Sequence, residues 1–187
     1  PQAFEDELNP GARDKKRISA GGAPIPNDIF TRTLEQVDLW KPRYESAEVR
    51  AKLAGIKVLL ASTDVHEHGL LLIDRLLSAA GARVDNIGAE RNPDEVVSEA
   101  AKRGAEMAFI STHNGMALEY ARNLLDEMEE ENYQIPVCMG GVLNQNTAQG
   151  TTPVDVSEEL EELGVTVVTD LLLLPERAAA VKGSVCK

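Results

Sequence analysis

From residue 56 onward the chain alternates short aliphatic runs with longer segments whose apolar positions recur at helical spacing. The runs predict buried strands and the segments predict amphipathic helices. IKVLLAST (56–63) reads as a first strand, and GLLLIDRLLSAAG (69–81) as a helix that Gly69 begins and Gly81 closes. ARVDNIG (82–88) is a second strand. Asn92, Pro93 and Glu95 then offer an N-cap, a first-turn proline and a capping-box acid to a helix running through EVVSEAAKRG. AEMAFIS (105–111) is a third strand, MALEYARNLLDEMEEE (116–131) a long helix, and IPVCMGG (135–141) a fourth strand ending in two glycines. VSEELEELG (156–164), VTVVT (165–169) and PERAAAVKG (175–183) complete the series as helix, strand and helix.

The pattern is weaker before residue 56. Residues 1–27, with GARDKKR and AGGAPIP, are polar and rich in Gly and Pro, which predicts an arm or linker. DIFTRTLEQVDLW (28–40) predicts a short helix that Pro42 interrupts. SAEVRAKLAG (46–55) predicts a second, with Ser46 as N-cap. This stretch reads equally as a connector packed loosely on the domain and as an arm that wraps a partner subunit. The expected division is an N-terminal arm over 1–54 and one domain over 55–187.

Five β–α units in a row, with strands that are apolar without strict alternation, predict an α/β fold. The expected architecture is a doubly wound, five-stranded parallel sheet of the flavodoxin-like (Rossmann-like) kind, in the order 2-1-3-4-5. Such sheets bind ligands beyond the carboxyl ends of their strands, at the switch point between strands 1 and 3. The loops after residues 63, 111 and 141 are therefore where function is expected.

Composition narrows the partners. The chain has 187 residues, 43% of them hydrophobic but only 4% aromatic, so its core must be built from Leu, Val, Ile and Ala. A formal net charge of -12 makes nucleic acid and anionic membranes poor partners, while leaving room for an anion held by local N–H groups. The two cysteines, Cys138 and Cys186, have no CxxC spacing, and Cys138 lies in an apolar run, as a buried free thiol does. PQAFEDELNP lacks the cationic flank and apolar stretch of a signal peptide, and no aliphatic run is long enough to span a membrane. A reduced, cytoplasmic protein is expected. Pro1 is what removal of an initiator Met leaves, which suits a complete small subunit and equally a fragment.

All three histidines fall in the first two of the loops singled out by topology: Asp64-Val65-His66-Glu67-His68-Gly69 after strand 1 and Ser111-Thr112-His113-Asn114-Gly115 after strand 3. Gly140-Gly141 and the polar VLNQNTAQGTT follow strand 4. An imidazole is a good ligand for a borderline transition metal, and a ligating His usually gives its other N–H to a carboxylate. Asp64 is placed to take that role for His66. Taken alone, a DxH of this kind is more often a helix cap beside an exposed loop residue, and a lone GG is more often a tight turn. Gly69, Gly140 and Gly141 lack a Cβ and so let a large ligand approach the backbone.

Together these elements resemble the cobalamin-binding domain shared by B12-dependent mutases and corrinoid methyltransferases. DVHEHG (64–69) matches that family's DxHxxG, Ser111 matches the Ser of its SxL, and Gly140-Gly141 matches its GG. Each stands at the end of the corresponding strand, in order, within residues 55–183. His113 takes the place of the usual Leu, and TDLLLLPE stands where the family often has a Gly-rich stretch. The resemblance implies that His66 replaces the cofactor's own dimethylbenzimidazole as lower cobalt ligand and that Asp64 supports it. It also implies a channel for the displaced nucleotide tail beside strand 1, along Ser111 and over Gly140 and Gly141, with His113 near the tail and Gly69 and Thr112 also among the cofactor-binding residues. His68 is expected at the surface.

Such a domain does no substrate chemistry alone. The resemblance implies an isomerase (mutase) subunit that presents adenosylcobalamin, rather than methylcobalamin, base-off and His-on to a larger TIM-barrel catalytic subunit. Residues 1–55 do not suit the helical bundle that precedes common methyl carriers, and SAAGARVDNIG lacks the lysine of the 5,6-aminomutases. The remaining alternatives are a corrinoid methyl carrier and a B12-sensing module. A receiver would need an Asp where Ser111 stands, and a flavodoxin a phosphate loop where DVHEHG stands.

Overall fold

A computed structural model describes residues 28–65, 67–146 and 152–182. Helices α1 (Asp28–Tyr44) and α2 (Ala47–Leu53) lead into β1 (Lys57–Ser62), α3 (Glu67–Ala79), β2 (Arg83–Gly88) and α4 (Pro93–Arg103). Then follow β3 (Met107–Thr112), α5 (Ala117–Glu130), β4 (Val137–Gly141), the short β5 (Asn144–Gln145) and β6 (Val154–Asp155), α6 (Ser157–Glu162), β7 (Thr166–Val168) and α7 (Leu174–Lys182). One compact unit covers Thr33–Lys187.

The main sheet is parallel, in the order β2-β1-β3-β4-β7. This is the topology expected from the βα repeat, with the chain reversing its direction of growth between β1 and β3. β3 is buried at all six positions and β1 at five of six, as central strands covered on both faces must be. β2 lies at an edge and is only partly covered.

Strand pleating sorts the core into two layers. Val58, Leu60, Met107, Phe109, Cys138 and Val168 face α3 and α7, and Leu59, Ala61, Ala108, Ile110, Met139 and Val167 face α4, α5 and α6. The helices present matching stripes, such as Ala117, Ala121, Leu124 and Met128 along α5. Asn92 donates its N–H to the Glu95 carboxylate at 3.0 Å, so α4 starts where the capping box predicts.

Two local expectations fail for physical reasons. Pro42 does not interrupt α1, which runs on to Tyr44. Its missing N–H orphans only the Asp38 carbonyl, on an exposed turn near the helix end where water can replace it. Tyr44, fully buried, then anchors the last turn in the core beside Val37, Val49 and Leu53. The polar segment after β4 is not wholly loop either. Its first part pairs with Val154–Asp155 as a two-residue antiparallel ladder. The segment 1–27, the residues 147–151 and Cys186 lie outside the described residues. No helix among the described residues is long and apolar enough to cross a membrane.

Candidate functional site

Register builds the site. Ser111 of β3 sits beside Gly140 of β4, and Gly140 sits beside Val168 of β7. Alternation puts all three on the same pleat face as Phe109 and Cys138, the face that α3 and α7 cover. At this end of the sheet the row is short-chained, so the covering helices do not close onto it. A cleft of about 200 Å³ remains, lined by Gly69, Ile73, Phe109, Ser111, His113, Gly140, Gly141, Val168, Thr169 and Leu171.

A Cβ would meet the backbone at Gly140 and Gly141, and only a side-chain hydroxyl at Gly69. One added at Gly140 would stand 2.6 Å from the Val168 carbonyl oxygen, and one at Gly69 would stand 3.1 Å from Ser111 Oγ. Gly141 has φ +106° and lies so close to Thr112 and His113 that a Cβ would meet the Thr112 carbonyl at 2.3 Å. Only glycine adopts that backbone without strain. Because α3 starts at Glu67, Gly69 lies inside its first turn rather than opening the helix.

The β1 and β3 loops are tied together by side chains. Asp64 Oδ2 accepts the His113 N–H at 2.5 Å, with His113 Nδ1 3.9 Å away. Ser62 Oγ donates to the Ser111 carbonyl at 3.2 Å, and Thr63 Oγ1 meets Thr112 Oγ1 at 2.8 Å. Asn114 extends the network, accepting from Met116 N at 3.1 Å and donating to the Thr63 carbonyl at 3.4 Å. The Asp64 side chain is only 10% exposed, and its carboxylate makes the bond to the amide a charge-assisted one. Asp64→Ala is expected to lower the unfolding free energy of the ligand-free protein by about 1.5–3 kcal/mol, the worth of a hydrogen bond to a charged group. Urea denaturation measures it, and an unchanged midpoint at unchanged slope would mean that this tie does not hold the loops.

The sequence-predicted residues therefore separate. Gly69, Ser111, His113, Gly140 and Gly141 surround one cleft. Thr112 does not join them. It is buried on the opposite pleat face, engaged with Thr63 and Asn114. Asp64 links the β1 and β3 loops through the His113 amide, and His66 falls outside the described residues. Ile73, Phe109, Val168, Thr169 and Leu171 line the cleft but were not singled out from sequence. Two of them carried a signal: Ile73 is four residues along the helix from Gly69, and Phe109 is two along the strand from Ser111. Among the described residues no group of three His, Cys, Asp or Glu side chains could hold a metal ion. Cys138 is buried in the core, and that burial pushes its thiol up to about 12.

Comparison with known proteins finds relatives of this chain. Glutamate mutase sigma subunit 1 of Haloarcula marismortui is 30% identical over 117 residues, covering 62% of this chain and 75% of that protein. The 2-hydroxyisobutanoyl-CoA mutase small subunit of Aquincola tertiaricarbonis is 30% identical over 108 residues, covering 56% of this chain and 79% of that one. In fold the chain resembles a cobalamin-binding protein from Desulfitobacterium hafniense DCB-2, with TM-score 0.55 and 18% identity over 91% of this chain and 74% of that one. A family model described as the B12 binding domain matches residues 56–168, the span from β1 to the end of β7 that carries most of the cleft, and the chain belongs to that family.

Proposed function

We infer that this chain is the cobalamin-binding subunit of a carbon-skeleton mutase, an isomerase component that presents its cofactor to a larger catalytic subunit and is not catalytic alone. The observation that carries this is the cleft at the carboxyl ends of β3, β4 and β7, kept open by Gly69 and Gly140. Its volume decides what it can take. Pockets that enclose a whole drug-sized ligand run from roughly 300 to 1,000 Å³. A cleft of about 200 Å³ is too small for a corrinoid but suits one planar aromatic base on a flexible tail. Its walls fit such a tail: Phe109, Ile73, Val168 and Leu171 are apolar, while Ser111 and Thr169 offer hydroxyls.

The corrin ring itself would then lie outside, against the loops. Val65, Met116, Val142 and Leu173 stand 64%, 41%, 47% and 50% exposed at that end of the sheet, an apolar rim that a macrocycle and a partner subunit would cover. His66 would hold the cobalt, and Asp64, tied to the β3 loop, restrains the segment that carries it. When bound, adenosylcobalamin supplies radical chemistry through its Co–C bond. The chain's own residues would bind the tail and place the ring where a TIM-barrel partner in the cytoplasm could reach it.

The mutase reading is preferred to a methyl carrier because the relatives at 30% identity are mutase subunits. Purified chain mixed with adenosylcobalamin should retain it in equimolar amount through gel filtration. Chain isolated from its own cells in the presence of that cofactor should bring down a larger subunit with isomerase activity. Failure to retain any corrinoid refutes the reading, and recovery of a methyltransferase instead moves it to the methyl-carrier class.

A further inference from the structure

The far wall of the cleft, Thr169 and Leu171, belongs to the turn TDLLLL (169–174) between β7 and α7, which contains no glycine. All of it, residues 169–174, lies beyond the span of the family match. The turn is held internally by Asp170, whose carboxylate accepts the Leu172 N–H at 2.8 Å and whose carbonyl accepts the Leu173 N–H at 3.0 Å. It is also held from outside. The Tyr44 hydroxyl at the end of α1 donates to the Leu171 carbonyl. Arg43 Nε donates to the Leu172 carbonyl at 3.2 Å, and its Nη2 pairs with Glu176 of α7 at 3.1 Å. Lys52 of α2 reaches the same Glu176 oxygen at 3.6 Å.

The ion pairs are largely exposed and contribute little. The bonds to carbonyls differ in kind. Tyr44 is fully buried, and burial raises its phenol far above the usual range, so it remains a donor at every relevant pH. Leu171 packs on the same core layer as Tyr44, which leaves its carbonyl and side chain fixed from one direction by α1.

We propose that Tyr44 and Arg43 are positioning residues that clasp the β7–α7 turn and set the width of the nucleotide-tail cleft. Helix α1, ahead of the family domain, thereby forms part of its ligand site. A glycine-rich turn could fold onto a ligand without help. A turn of four successive leucines lacks that freedom, and here its backbone is held by the neighbouring helix. This inference rests on the cobalamin reading above, and the test separates the two.

Tyr44→Phe keeps the ring and removes the donor. Its affinity for cobalamin should fall about tenfold, the worth of one hydrogen bond to a backbone carbonyl. Its affinity for cobinamide, a corrinoid without the nucleotide tail, should stay at the wild-type value. Arg43→Met, which keeps the aliphatic stem at an exposed site, should show the same split and carries the test if Tyr44→Phe folds poorly. Equal losses for both corrinoids would assign Tyr44 and Arg43 to general stability and overturn the clasp, as would no loss for either. Wild-type protein that binds neither corrinoid would instead refute the cobalamin reading.

Discussion

In a His66→Ala variant the bound cobalamin should lose its protein-derived axial nitrogen altogether, the largest spectroscopic change expected of any single substitution in this chain. In the wild type, the reduced cobalt should show superhyperfine splitting from one imidazole nitrogen, altered when the protein is grown on isotopically labelled histidine. In the variant that labelling effect should vanish, and corrinoid affinity should drop by more than the roughly 10–100-fold that removal of an outer-sphere support costs a metal site. The fold should survive, because Asp64 remains bonded to the His113 amide and the β1–β3 tie does not depend on residue 66. An unchanged spectrum and affinity would mean that the cofactor's own base still occupies the lower face. The cleft would then have to hold something else.

The strands show how much of this fold is local. β1, β3 and β4 are continuous apolar runs because both of their faces are covered, so their ends, and hence the loops that matter, are legible without coordinates. Thr112 shows the limit. It follows Ser111 in the motif, yet pleating by one residue turns it to the other layer, where it bonds Thr63 rather than lining the cleft. The two-residue strands β5 and β6 left no periodicity in a polar segment and so had no signature. Pro42 read as a stop because its cost in a buried helix is large, whereas on an exposed final turn solvent cancels most of it. Phe109 and Ile73 were legible as core. That they border an opening depends on what Ser111, Gly140 and Gly69 fail to fill, which is a three-dimensional fact.

Gly69→Leu turns that last point into a measurement, because it sets two effects of opposite sign against each other. Gly69 lies within the first turn of α3, where glycine is the poorer helix former by up to about 1 kcal/mol. Replacing it should therefore leave the ligand-free protein at least as stable as before, less any cost of crowding Ser111 Oγ, 3.1 Å from the new Cβ. The crowding is modest because the rest of the side chain has open space to enter, and that space is the cleft. A leucine there occupies a large part of about 200 Å³ that would otherwise hold the nucleotide tail. The expected result is a melting temperature within roughly 2–4 °C of wild type, together with a loss of cobalamin affinity of at least about 100-fold, or some 2.7 kcal/mol. Cobinamide, which places nothing in the cleft, should still bind and still show the His66 nitrogen. His66→Ala and Gly69→Leu thus remove opposite ends of one binding mode. The first abolishes the nitrogen signature for both corrinoids, and the second abolishes tight binding for only the one that has a tail. If Gly69→Leu retained cobalamin with wild-type affinity, the tail would have to lie elsewhere, and the open row of Ser111, Gly140 and Val168 would be a packing feature with no ligand to explain it.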